Sequence, residues 1–101
     1  MAGIKKEING TVMNIALSGA LNSQLAPELE EVILASVSDV TEICFDFADL
    51  EYLTSAGLRV ILSAQQEMDE KDGTMTIKNV SQEIMDIFKM TGFSNILTII
   101  E

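Results

Sequence analysis

Ile43-Cys44-Phe45-Asp46-Phe47-Ala48-Asp49-Leu50-Glu51-Tyr52-Leu53-Thr54-Ser55-Ala56-Gly57-Leu58 is the stretch whose reading decides the fold. Its first part, Ile43 to Phe47, is apolar except for Asp46. The aromatic and β-branched residues predict a strand buried on both faces. From Leu58 the apolar residues Ile61, Leu62 and Met68 recur, with polar Gln65 in the same stripe, at the spacing of one helical face. Between strand and helix lies Thr54-Ser55-Ala56-Gly57. A hydroxyl at a helix start accepts a hydrogen bond from an orphan backbone N–H, so Thr54 or Ser55 is expected at the N-cap. Gly57 is read as room for close backbone approach or for the bend from loop to helix. A small hydroxyl residue therefore sits at the exposed start of a helix, where free amides and the helix dipole both favour negative charge.

Outward from this stretch, the chain alternates strands and helices. Ile4 to Asn9 is weakly patterned and runs into Asn9-Gly10, a two-residue hairpin signal. Thr11 to Leu17 reads as the second strand of that hairpin, ended by Ser18-Gly19. Asn22 or Ser23 is placed to cap a helix whose stripe is Leu25, Leu29, Val32, Ile33 and Val37. Pro27 falls in its early turns, and Glu28, Glu30 and Glu31 lie in its N-terminal half, where the dipole favours them. The central helix ends at Lys71-Asp72-Gly73, a turn sequence. Thr74 to Lys78 alternates as a strand should. Asn79 or Ser81 starts a last helix with Ile84, Ile87 and Phe88 on one face, and Gly92 suits the left-handed residue that ends it, with Phe93 packing back near Phe88. Ile96 to Ile100 is a closing apolar segment read as a short strand. The order is ββαβαβαβ, an α/β domain with a mixed sheet, helices packed on it and right-handed crossovers.

With 101 residues, one domain spanning 1–101 is the expectation. A chain of this size buries roughly 60–68% of its unfolded surface, enough for one core without staples. A net charge of −10 argues against nucleic acid, whose phosphates need Lys and Arg, and against anionic membrane surfaces. It is compatible with a basic protein partner. No apolar run approaches the roughly 20 residues of a membrane span. The start Met1 to Glu7 has no apolar segment after its lysines, so a cytoplasmic location is expected. Cys44 is the only cysteine, so no internal disulfide forms. Its place in the apolar run suggests a small buried side chain without a redox role. Met68, Met75, Met85 and Met90 are read as gap-filling or edge packing.

The segment Asp46 to Leu58 resembles the central signature of STAS domains, in particular of the bacterial anti-sigma factor antagonists. That signature is an apolar strand ending in Asp, a short linker, a large apolar pair, a small polar residue, Ser, a small residue, Gly and Leu. The resemblance extends over nearly the whole chain, because the element order on both sides also fits. It implies a non-enzymatic regulator. In antagonists of this type the Ser before the small residue and Gly is phosphorylated by a partner that is both anti-sigma factor and serine kinase; by position that residue is Ser55. The unmodified form binds the anti-sigma factor and frees the sigma factor, and a phosphatase restores it. Two positions depart from the usual pattern. Thr54 stands where Asp is often found, which makes it a rival acceptor, and Ala56 stands where a second Ser often follows. The implied docking surface comprises Asp49, Glu51, Thr54, Ser55, Ala56, Gly57 and Arg59, with Arg59 touching the partner or pairing with Glu51. An alternative is a STAS scaffold or ligand-sensing module in a larger assembly, with Ser55 only a cap.

Other chemistry has little support. The chain has no His, which excludes Ser-His-Asp and Cys-His catalysis and argues against zinc. It has no Gly-rich nucleotide loop. Asp46, Asp49 and Glu51 have the composition of a Mg²⁺ or acid–base site. Their plainer reading is one carboxylate, Asp46, bonded to loop backbone at a strand end and two solvated ones. No cofactor is expected.

Overall fold

A computed structural model describes residues 3–100. Five strands and three helices alternate as β1 (Gly3–Asn9), β2 (Val12–Leu21), α1 (Leu25–Ser36), β3 (Glu42–Leu53), α2 (Ser55–Glu70), β4 (Thr74–Lys78), α3 (Gln82–Thr91) and β5 (Thr98–Ile100), with 3₁₀ turns at Val37–Asp39 and Phe93–Asn95. The strands lie side by side in chain order. β1 runs antiparallel to β2, and every later pairing is parallel. The mixed α/β sheet expected from the sequence is therefore present. A parallel pair needs a long crossover, and each of the three is a helix.

One core unites the elements. Ile15, Ile43, Phe45, Phe47 and Ile77 of the strands are sealed against Leu29 and Ile33 of α1, Ile61 and Met68 of α2, and Ile84 and Phe88 of α3. Phe47 is the hinge of an aromatic row, edge-on to Phe45 with ring centroids 6.0 Å apart and tilted against Phe88 at 6.3 Å. The buried residues of all three helices thus meet the same sheet face. The opposite face carries Asn14, Ala16, Cys44, Asp46 and Thr76, all half-buried. The strand at Ile43–Phe47 is therefore covered on one side only, which corrects the expectation of burial on both. Cys44 lies on this second face, outside the core. Its thiol donates to Glu42 Oε2 at 3.2 Å and accepts from the Thr76 hydroxyl at 3.4 Å. Burial pushes that thiol's pKa up, so the reactive thiolate is disfavoured.

The turns follow local chemistry, with some shifts from the sequence reading. The hairpin closes over Gly10-Thr11, because Asn9 already pairs with Val12. Gly10 has φ +63° while Thr11 stays negative, the pattern of a turn with glycine first. β2 does not end at Ser18-Gly19; it passes through Gly19, at φ +76°, to Leu21. Asn22 acts on α1 as foreseen, its Oδ1 accepting from the N–H groups of Gln24 and Leu25 at 3.0 and 3.2 Å, although Gln24 is the N-cap residue. Ser81, not Asn79, caps α3, accepting from Ile84 N–H at 3.2 Å. Gly92 takes the left-handed position at its end, φ +82°. Met68 and Met75 are in the core, whereas Met90 is exposed. Gln65 is buried in the α2 stripe, where its Nε2 donates to Asp69 Oδ1 one turn on, at 2.9 Å.

Candidate functional site

The decisive feature of β3 is its length. The sequence suggested a strand stopping near Phe47; it continues to Leu53, immediately before the Thr54-Ser55 pair. It does so with two β-bulges against β2. Ala16 pairs with Asp46 and Ser18 with Asp49, so two residues of β3 face one of β2. Gly19 pairs with Leu50 and Ala20 with Tyr52, which leaves Glu51 unpaired. Each extra residue turns the following side chains to the other face. β2 alternates strictly, with every second residue buried from Met13 to Leu21. In β3 the buried positions are Ile43, Phe45, Phe47, Leu50 and Leu53, a spacing of two that becomes three after each bulge. Without the bulges, unbroken alternation would carry Asp49 and Glu51 into the core and turn Leu50 out. Burying an unpaired carboxylate is far more costly than bending a strand, so the sequence selects the bulged register. The result is an exposed acidic shoulder, Asp49 and Glu51, with Tyr52 beside it at 56% exposure.

Asp46 marks the base of the shoulder. Its Oδ1 accepts from Ala48 N–H and from Asn79 Nδ2, both at 2.9 Å. The Asn79 amide, then the Ala48 N–H, hold its carboxyl below the ordinary range. It is the backbone-tying carboxylate expected, and it links β3 to the loop before α3. Among the described residues no three acidic or Cys side chains converge as a metal would require.

The junction into α2 is set by the end of β2. Thr54 is the N-cap residue in extended conformation, and its carbonyl accepts the first helical bond from Leu58 N–H at 2.9 Å. Its own N–H donates to Leu21 O at 3.0 Å, and its hydroxyl leans to the same carbonyl at 3.5 Å. The Thr54 side chain therefore does not cap the helix, contrary to one of the two cap assignments. Ser55 is the first helical residue and does not cap it either. The N–H groups of Ser55, Ala56 and Gly57 have no intrahelical acceptor, as in any first turn. Ser55 is exposed, Thr54 and Ala56 are half-buried, and Ala56 packs on the core. Gly57 is buried. A Cβ there would lie 2.7 Å from both the Leu21 carbonyl oxygen and Leu21 Cγ, so glycine lets the α2 backbone touch the end of β2. This is the close-approach reading of Gly57.

Arg59 is exposed on α2 at i+4 from Ser55, and the two side chains share one helical face. No ion pair joins it to Glu51, so that pairing is not made. The structure thus brings Ser55, Arg59, Tyr52, Glu51 and Asp49 to the surface around one strand–helix junction, and it withdraws Thr54, Ala56 and Gly57 partly or wholly into support. Tyr52, in sequence half of a large apolar pair with Leu53, is exposed whereas Leu53 is buried. A break in strand alternation just after Asp49 was the available signal for it.

The chain as a whole is similar to known proteins. BtrV of Bordetella bronchiseptica is 29% identical over 84 residues, 82% of this chain and 72% of that protein. The anti-sigma-B factor antagonist of Bacillus subtilis is 25% identical over 96 residues, 95% of this chain and 86% of its relative. Bacillus SpoIIAA has been solved unphosphorylated, with TM-score 0.81 and 19% identity over 98% of this chain and 88% of that one. Its phosphorylated form gives TM-score 0.80 and 20% identity over 98% and 92%. At such identity the likeness is one of fold. Residues 3–101 match the family model of the STAS domain, and the chain belongs to that family.

Proposed function

We propose that this protein is an anti-sigma factor antagonist, a binding protein and not an enzyme, switched by phosphorylation at Ser55. The observation that carries the reading is the exposure of the Ser55 side chain in the first turn of α2, beside an acidic shoulder and next to the close approach of Gly57 to Leu21. The names of relatives support the same reading: one is an anti-sigma-B factor antagonist, and SpoIIAA exists in phosphorylated and unphosphorylated forms.

The mechanism follows from charge. A phosphate adds roughly −1.5 to −2 charges. At the start of α2 it meets unbonded amides, the positive end of the helix dipole and, one turn on, the Arg59 guanidinium, all of which accommodate it. The fold is therefore kept. The docking surface changes instead: Asp49 and Glu51 already make it negative, and phosphate adds bulk and repulsion against a partner fitted to the bare hydroxyl. The unmodified form binds an anti-sigma factor that is also a serine kinase using ATP; the modified form releases it, and a phosphatase resets the cycle. Ser55 is preferred over Thr54 as acceptor because the Thr54 hydroxyl is half-buried and turned to the Leu21 carbonyl.

The test is incubation with the cognate kinase and ATP, followed by mass mapping. One phosphate on Ser55 is expected, and none after Ser55→Ala. Phosphate confined to Thr54 would overturn the site. Ser55→Asp should leave the melting temperature in place and weaken anti-sigma binding by about tenfold or more, the 1.4 kcal/mol that a like-charge contact readily costs. Unchanged affinity in calorimetry would overturn the repulsion mechanism.

A further inference from the structure

β1 is an outer strand of the sheet, and from Lys5 to Asn9 every residue is exposed. A bare strand edge is a template for pairing. Which of its amides face outward follows from the hairpin. The two-residue turn makes Asn9 and Val12 a pair that exchanges backbone hydrogen bonds. In an antiparallel ladder such pairs alternate with unbonded ones. Glu7, Lys5 and Gly3 therefore direct N–H and C=O toward β2, where they face Asn14, Ala16 and Ser18. The N–H and C=O groups of Ile4, Lys6 and Ile8 point away from the sheet.

We propose that two copies of this chain associate through β1, antiparallel about a two-fold axis at Lys6, to form a continuous ten-stranded sheet. This register pairs the outward amides of Ile4, Lys6 and Ile8 over the longest overlap and leaves one like-charge pair, at Lys6. Lys6 faces Lys6 of the second copy, and Ile4 faces Ile8 on either side; these are the residues with outward amides, so all three pairs exchange hydrogen bonds. The intervening unbonded pairs, where side chains approach most closely, set Lys5 against Glu7 twice, with opposite charges. Cross-strand pairs of opposite charge stabilise and like charges destabilise. An axis at Lys5 or Glu7 would instead put the like charges at an unbonded pair, where side chains come closest, whereas the Lys6 pair is a wider hydrogen-bonded one. The apolar side chains also match, because Ile8, exposed at 42%, meets Ile4, which packs on the core. The two Lys6 side chains are held apart, each donating to Ser36 Oγ of its own α1 at 3.3 Å. Lys5, which ordinarily discourages edge pairing, is here matched by Glu7 of the second copy. The other outer strand, β5, offers three residues, and a β1-to-β5 contact would not close.

An edge contact of this length belongs to the small class of interfaces, below about 1,200 Å², so a weak, concentration-dependent dimer is expected. Sedimentation equilibrium of the whole chain over a wide concentration range tests it. Glu7→Lys should raise the dimer dissociation constant about tenfold, and the swap Lys5→Glu with Glu7→Lys should restore it. Lys6→Pro removes an outward N–H and leaves the bonds to β2, so it should give a folded monomer by circular dichroism. A monomer at all concentrations, a dimer indifferent to Glu7→Lys, or a swap that fails to rescue overturns the proposal.

Discussion

Gly57→Ala tests how the site is held. The added Cβ would fall 2.7 Å from the Leu21 carbonyl oxygen, 2.7 Å from Leu21 Cγ and 3.0 Å from Cδ2. The side-chain atoms can rotate away; the carbonyl cannot, because it also accepts the Thr54 N–H. Forcing atoms into a packed site costs about 1–3 kcal/mol. Alanine is the better helix former by up to about 1 kcal/mol in a helix interior, and by less in a first turn. The net is a destabilisation of about 1–2 kcal/mol, which in a domain this size lowers Tm by roughly 5–15 °C. Thermal melts and urea titration read it. A double-mutant cycle with Leu21→Ala separates the two contacts. In that background Gly57→Ala should cost less but still something, since the carbonyl remains. An unchanged or raised Tm for Gly57→Ala alone would refute the reasoning, and with it the claim that the end of β2 positions Ser55.

Two further perturbations probe the shoulder. Leu50→Ala should cost about 2–5 kcal/mol as a core deletion, whereas Asp49→Ala and Glu51→Ala should each stay within about 0.5 kcal/mol; urea denaturation that ranks them otherwise would place the bulges elsewhere. Asp46 gives a pH signature. Its folded pKa lies below its unfolded value, so the stability it adds is present above about pH 4–5 and is lost as pH falls through the folded pKa. Asn79→Ala removes the leading cause, so wild type should exceed the variant in stability at neutral pH, with the gap narrowing on acidification. A gap that widens toward acid would contradict the assignment.

Much of this was legible in the sequence because it rests on local chemistry. The alternation of Thr74 to Lys78, the 3.6-residue stripe from Leu58 to Met68, the Ser81 cap and Gly92 each depend on a few neighbouring residues. The misplaced features are those for which two strands compete. Gly19 looks like a terminator in one dimension and is a strand residue once β3 lies beside it. Ala48 to Leu53 looks like a linker because the apolar residues lose the period of two after Phe47. It keeps strand pairing because β2 tolerates two bulges. Cys44 sits in an apolar run that suggests the core, but which face of a strand is covered depends on where the helices pack, and Cys44 lies half-buried on the other face.

By itself, then, the sequence determined the order of elements, the apolar stripes of the helices, the two ends of α3 and the presence of a small hydroxyl at a helix start, since propensity and periodicity act over one or two turns. Tertiary structure alone decided which carboxylates stay in water, which hydroxyl faces out and why residue 57 must be glycine. Those outcomes turn on β2, whose Leu21 lies 36 positions before Gly57 and whose register and carbonyl direction no local pattern encodes.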